Sequence, residues 1–152
     1  MSKKKEFYTF RGYTIKEYKR ELTASMEDYL EMIYRLSQAE GYTRINELAA
    51  AVNVQPSSAS KMVQKLTEAN FLKYEKYSII KLTKKGNEMG SFLLKRHNTI
   101  ESFLKHIGVT EGILEDTEKI EHNISNHTME RIAALVELFD KHPEILRLLD
   151  TF

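Results

Sequence analysis

The sequence contains no cysteine. That excludes disulfides, thiolate metal ligands and cysteine nucleophiles. No apolar run approaches the roughly 18 residues that a membrane span needs. The basic start, MSKKKEFYTFRGY, lacks the apolar core of a secretion signal, so the expected location is cytoplasmic, with no membrane partner. Proline is scarce: the only two, Pro56 and Pro143, each stand where a helix is expected to open. No internal repeat or low-complexity segment is present. Net charge is +1, too small by itself to point to any class of partner.

What is present is 152 residues, 41% hydrophobic and 30% charged. This suits a soluble globular chain of one domain, or of two small domains sharing a long helix. Charge is unevenly spread. Residues 1–20 carry seven Lys/Arg against two acids, residues 57–86 again seven against two, and residues 110–152 four against ten. A basic first half and an acidic tail suit a nucleic-acid end and a cation-binding or assembly end. A solvated charged surface would account for the same counts.

Apolar spacing predicts mainly helix. After a Lys-rich extension over 1–24, the first helix is expected to start at an N-cap Ser25, with Met26, Tyr29, Leu30, Ile33 and Tyr34 in phase, and to end near Gly41. Thr43 is expected to cap a short helix from Ile45 to Val52, broken by Asn53. A third helix opens at Pro56 and runs to about Asn70, burying Ala59, Met62, Val63 and Leu66. Residues 71–83, FLKYEKYSIIKLT, read as a β-hairpin whose turn has no glycine. Thr83 then caps a long helix to Ile107, stopped by Gly108, with Met89, Leu93, Ile100, Leu104 and Ile107 on its inner stripe. Further helices are expected from Thr110 to about Ile124, over 127–140 with Ile132, Leu135, Val136 and Phe139 in phase, and from Pro143.

Helix, short helix, tight turn, third helix and hairpin is the order of a winged helix-turn-helix. There the third helix enters the major groove of double-stranded DNA. Its exposed early residues, Ser57, Ser58, Ser60, Lys61, Gln64 and Lys65, can reach bases and phosphates. Lys73, Lys76, Tyr77 and Lys81 would set the hairpin against the backbone. One amphipathic helix would carry polar outer residues anyway. The combined pattern is what favours DNA.

Metal-capable side chains recur at helical spacing. Asp28 and Glu31 are three apart, and Glu118, Glu121 and His122 share a face. His97 interrupts an apolar stripe, a costly place for a ring without a partner. Each has a plain alternative: Asp28 as partner of Ser25 in a capping box, Glu31 as solvated, His97 as a hydrogen-bonded core residue, Glu118 and Glu121 as acidic surface. Spacing within separate helices does not show that the groups meet.

With SMEDYLEMIY, QPSSASKMVQKL, YEKY, KRHNTIESFL, IGV and IEHNIS in order between about Ser25 and Phe139, the sequence resembles the diphtheria toxin repressor family. Its likeness is to the manganese branch, the manganese transport regulators. The resemblance implies a mainly α fold with a small β-wing: an N-terminal winged helix-turn-helix over 25–86, then an all-helical dimerisation and metal-binding domain over 87–152. Carried over by position, it implies that Asp28, Glu31, His97, Glu118, Glu121 and His122 are metal ligands holding two Mn²⁺ per subunit. Asp28, Glu118, Glu121 and His122 would surround one ion; Glu31 and His97, with shared carboxylates, would hold the other. The iron-sensing branch has Met at the position of Asp28 and Cys at that of Glu118. Carboxylates there suit Mn²⁺ better than sulfur does. Because the sequence ends at Phe152, the third, SH3-like domain of longer iron-sensing members is not expected.

The implied function is a Mn²⁺-activated transcriptional repressor controlling manganese uptake. It would act as a homodimer on operator DNA, without an organic cofactor and without enzymatic activity. The competing readings are a winged-helix regulator answering iron or an organic ligand, and a carboxylate-bridged dimetal enzyme. Against the enzyme, no second Glu/His ligand motif is present and the DNA-reading segment would have no use.

Overall fold

The computed structural model describes residues 21–152 and Thr9. Most of the basic extension expected over 1–24 lies outside the described residues.

Helix α1 spans Ala24–Leu36. Its N-cap is Thr23, not Ser25: the Thr23 side chain accepts from the Met26 N–H at 3.2 Å. The extended backbone that a cap needs falls at Thr23, which puts Ser25 inside the first turn. Asp28 therefore lies beyond the capping turn, and the capping-box explanation for it fails. The helix also stops at Leu36, earlier than Gly41, with Ser37 as its C-cap.

The two-residue strand β1 (Thr43–Arg44) leads into α2 (Ile45–Ala51). Thr43 is thus a strand residue and not the cap expected of it. Its hydroxyl donates to Glu47 Oε2 at 2.9 Å, and the Arg44 N–H reaches the same oxygen at 3.1 Å. Asn53, with φ 55°, turns the chain out of α2. Helix α3 (Pro56–Glu68) follows, opened by Pro56. Its Ala59, Val63 and Leu66 are fully buried. Each large aliphatic side chain of that kind contributes roughly 1.5–3 kcal/mol.

The hairpin forms as β2 (Leu72–Glu75) and β3 (Ile79–Leu82), joined by a 3₁₀ turn at Lys76–Ser78. The sheet is antiparallel in the order β1-β3-β2, with Ile80 opposite Thr43 on one side and Tyr74 on the other. Without a glycine, the tip places Tyr77 and Ser78 in the left-handed region, at φ 63° and 61°. That costs about 1–2 kcal/mol per residue. Arg44 helps to hold it, donating from Nη1 to the Tyr77 carbonyl at 3.0 Å.

Helix α4 (Lys84–His106) starts at Thr83, whose side chain accepts from the Gly86 N–H at 3.0 Å. Gly86 permits close approach, since a methyl there would lie 1.9 Å from the Phe71 carbonyl oxygen. The helix ends one residue before Ile107, which is 38% exposed and so leaves the predicted inner stripe. Helix α5 (Ile113–Glu121) begins three residues after Thr110, because left-handed Gly112 is its N-cap, and ends at the C-cap His122, before Ile124. Helices α6 (Asn126–Lys141) and α7 (Pro143–Leu149) complete the chain, the former capped by the Ser125 side chain. Among the described residues no helix is long and apolar enough to cross a membrane.

Two hydrophobic cores meet on α4. Leu93 belongs to the core of α1, α2, α3 and the sheet, with Leu30, Ile33, Leu48, Val63, Phe71 and Ile80. Ile100 and Leu104 belong to a second core with Met129, against which Phe103, Ile120 and Ile132 pack. Arg96 and His97 fall between Leu93 and Ile100, at the junction of the two.

Candidate metal centre and nucleic-acid interface

The six metal-capable residues come from three elements: Asp28 and Glu31 from α1, His97 from α4, Glu118 and Glu121 from α5, and His122 from its C-cap. The structure brings them into two adjoining groups. Asp28, Glu118, Glu121 and His122 each offer one atom within 4.8 Å of the others, and so do Glu31, His97 and Glu121. Glu121 is common to both. A cleft of 480 Å³ opens beside them, lined by Asp28, Glu31, Met32, His97, Leu114 and Glu118 among others.

Glu121 is fully buried, and neither of its carboxylate oxygens has a hydrogen-bond partner. An ionised carboxylate in that state is expensive unless a cation answers it. Its Oε2 lies 3.3 Å from His97 Nδ1 and its Oε1 3.7 Å from His122 Nε2. Both nitrogens are themselves buried and without hydrogen bonds. His122 Nε2 is only 2.7 Å from Asp28 Oδ1. Donor atoms that converge without pairing are arranged around a common point, as ligands of an ion are.

The electrostatics agree. The nearby carboxylates of Asp28, then Glu27, push His122 up to about 10. Glu121 raises His97, against the opposing effect of burial. Burial, then the charges of Glu121 and Asp28, raise Glu118. The protein by itself therefore gathers protons where the acids crowd. The residues fit a hard divalent cation: four carboxylates match the charge of two dications, and two imidazoles complete a nitrogen and oxygen donor set. The C-terminal end of α5, the negative end of the helix dipole, also favours positive charge.

The plain alternatives fare differently. Glu31 is buried rather than solvated, and Arg35 donates to its Oε1 at 2.6 Å. His97 is buried but lacks a hydrogen bond at Nδ1. Glu118 is half exposed, as acidic surface would be, though its carboxylate turns toward both histidines. Sequence reasoning missed three residues. Glu101 Oε2 lies 3.5 Å from His97 Nε2. Glu27 and Arg96 are buried together behind His122. A charged residue at 27 or 96 looks like any polar helix position, and only the i, i+4 spacing of His97 and Glu101 gave a signal.

Helix α3 presents Ser57, Ser58, Lys61, Gln64 and Lys65 to solvent, with Ser60 half-buried. Lys73, Lys76 and Lys81 are exposed on the hairpin, and Tyr77 at its tip is 85% exposed. Lys81 pairs with Glu75 at 3.3 Å, which offsets part of its charge.

Two family models match the chain over most of its length. The model of the iron dependent repressor N-terminal DNA binding domain matches residues 21–80, and that of the iron dependent repressor metal binding and dimerisation domain matches 83–147. The chain belongs to the iron-dependent repressor family. As a family member it is a DNA-binding regulator with a metal-binding and dimerisation half. It is 48% identical over 128 residues to the HTH-type transcriptional regulator MntR of Listeria monocytogenes, covering 84% of this chain and 90% of that protein. The MntR of Lysinibacillus sphaericus is 46% identical over 129 residues, covering 84% and 93%. Among solved structures, the manganese regulator SloR superposes with a TM-score of 0.66 at 31% identity, over 76% of this chain. The chain spans 55% of the length of SloR.

Proposed function

We propose that the protein is a Mn²⁺-activated transcriptional repressor of manganese uptake. In this reading it works in the cytoplasm as a homodimer on operator DNA, with two ions per subunit. The observation that carries it is the buried, unpaired Glu121 shared by two donor groups drawn from both halves of the chain. Asp28, Glu118, Glu121 and His122 would hold one ion; Glu31, His97 and Glu121 the other. The donor set of carboxylates and imidazoles without sulfur supports Mn²⁺, and SloR is by name a manganese regulator.

When bound, the ions supply positive charge that joins the carboxylates of α1 to those of α5. The chain's own residues do the rest. Asp28 and Glu31 tie the winged half, 25–86, to the helical half, 87–152, across the junction at Arg96 and His97. In the ion-free dimer the two heads are less constrained. Tied, they sit at a separation that suits successive major grooves, roughly 34 Å apart. DNA must then tighten metal binding by the same factor that metal tightens DNA binding. Ser57, Ser58, Ser60, Lys61, Gln64 and Lys65 face the groove, and Lys76 and Tyr77 the backbone beside it. Dimerisation would cover the leucines that α6 and α7 leave exposed, Leu135, Leu138, Leu148 and Leu149. Electron paramagnetic resonance of free Mn²⁺, titrated with the protein, tests the reading: two ions are taken up per chain. Uptake of none, at micromolar protein and metal, would overturn it.

A further inference from the structure

Glu27 and Arg96 are buried, at 8% and 6% exposure, and paired with each other. Packed apolar residues often serve a fold as well as a buried ion pair does or better, so the pair calls for another reason. Its position beside His122 supplies one. Glu27 Oε2 lies 3.2 Å from His122 Nδ1, while Nε2 on the far side of the ring faces Asp28, Glu118 and Glu121.

A neutral imidazole offers a lone pair at Nε2 only when its proton sits on Nδ1. A carboxylate at Nδ1 accepts that proton's hydrogen bond and selects this form. Arg96 Nη2 also lies 3.2 Å from Nδ1, and a guanidinium donating there would select the other form. The two neighbours act in opposite senses. The ion pair keeps Glu27 ionised, and an ionised carboxylate 3.2 Å from Nδ1 can only accept. With Nε2 turned to three further carboxylates around a cation site, the form with its proton on Nδ1 is the one that satisfies both sides of the ring.

We propose that Glu27, held by Arg96, is a positioning residue that keeps the His122 proton on Nδ1 and aims Nε2 at the Asp28–Glu118–Glu121 group, where a divalent cation binds. This rests on the metal reading above. The same contacts join α1, α4 and the end of α5 behind the ions, so ligand geometry and the seating of the winged half depend on one buried pair. Partners of this kind, one shell out from the metal, are typically worth 10- to 100-fold in metal affinity.

Two experiments test the proposal. In the first, the parent protein is loaded with diamagnetic Zn²⁺, its histidines ¹⁵N-labelled, and the His122 tautomer is read by NMR. The expected form carries the proton on Nδ1; a proton on Nε2 overturns the proposal, and this needs no variant. In the second, Glu27→Leu and Arg96→Met are combined, leaving no buried charge alone and the net charge beside the site unchanged. The double variant should unfold at or above the parent's temperature without metal, yet bind one of its two Mn²⁺ about 10- to 100-fold more weakly. Equal affinity for both ions overturns the proposal. A parent chain that takes up neither Mn²⁺ nor Zn²⁺ overturns the metal reading itself, a result distinct from either of these.

Discussion

Glu121 Oε2 lies 3.3 Å from His97 Nδ1, although Glu121 is wholly buried and neither of its carboxylate oxygens is hydrogen-bonded. A proton on the ring would satisfy the charge but not the geometry. A cation between the two would satisfy both, and since Glu121 also faces His122, its loss should empty both donor groups.

Glu121→Gln keeps the shape and removes the charge. Saturating Mn²⁺ at about a hundredfold over its dissociation constant should stabilise the parent by about 2.7 kcal/mol per ion. That amounts to a rise on the order of 5–10 °C per ion in a chain of this size. The variant should unfold without metal at or above the parent's temperature and lose this increment for both ions. Thermal unfolding with and without Mn²⁺ checks it; a variant that retains the increment for either ion would show that Glu121 is not shared.

The raised histidines fix a pH dependence. His122 stands at about 10 in the fold against an ordinary 6.5, owing to Asp28 and then Glu27. His97 is raised in the same sense by Glu121. A group raised on folding contributes stability that is complete below the ordinary value and lost as pH climbs through the folded one. With chelator present, the unfolding temperature should therefore fall between pH 6.5 and about 10. Metal must displace these protons, so Mn²⁺ affinity should rise over the same range, with proton release on binding. A chelated protein whose stability is flat or rising there contradicts the assignment.

On the DNA side, charge and sequence reading should separate. Lys61→Ala and Lys65→Ala, both on the exposed face of α3, should weaken binding to every sequence and flatten its salt dependence. Gln64→Ala should instead relax preference at one base pair, by roughly 1–3 kcal/mol if its contact is bidentate. Anisotropy with operator and scrambled duplexes distinguishes the two. Unaltered operator affinity in all three variants would rule out α3 as the reading helix.

Metal choice should turn on Asp28. Its Oδ1 is 2.7 Å from His122 Nε2, and the change to Met replaces a hard, charged oxygen by a soft, neutral sulfur. Asp28→Met should weaken the Mn²⁺ response and favour Fe²⁺ or Co²⁺ relatively, measured anaerobically by DNA affinity across the three metals. An unchanged metal order would leave Asp28 without a part in selection.

Much of the fold was legible because local chemistry agreed with tertiary need. Pro56 opens α3, Thr83 caps α4, and Gly108 ends it at φ 89°. The errors fell where two residues could each do one job. Thr23 and Ser25 can both cap a helix, and only the direction of the incoming chain decides. Between Thr110 and Ile113, left-handed Gly112 sets the start of α5, and spacing carries no record of that. The hairpin was readable from its β-branched run, but not its tip, where Tyr77 and Ser78 take left-handed backbone under the Arg44 hydrogen bond. At the site, the spacing of Glu118, Glu121 and His122 showed a shared face. That this face meets α1 and His97 depends on how α4 joins the two cores, which no local pattern contains. Glu27 and Arg96 were invisible for the same reason: their meaning lies in a contact across 69 positions of sequence.

If an ion held between the winged half and the helical half controls DNA binding, operator affinity must follow the metal. The most direct measurement is fluorescence anisotropy of a labelled operator duplex at fixed salt, with the protein titrated in the presence of each divalent metal in turn and with chelator. Weak binding is expected with chelator, tight binding by a dimer at micromolar Mn²⁺, and no such gain in Glu121→Gln. Operator affinity that is the same with Mn²⁺ and with chelator would contradict it.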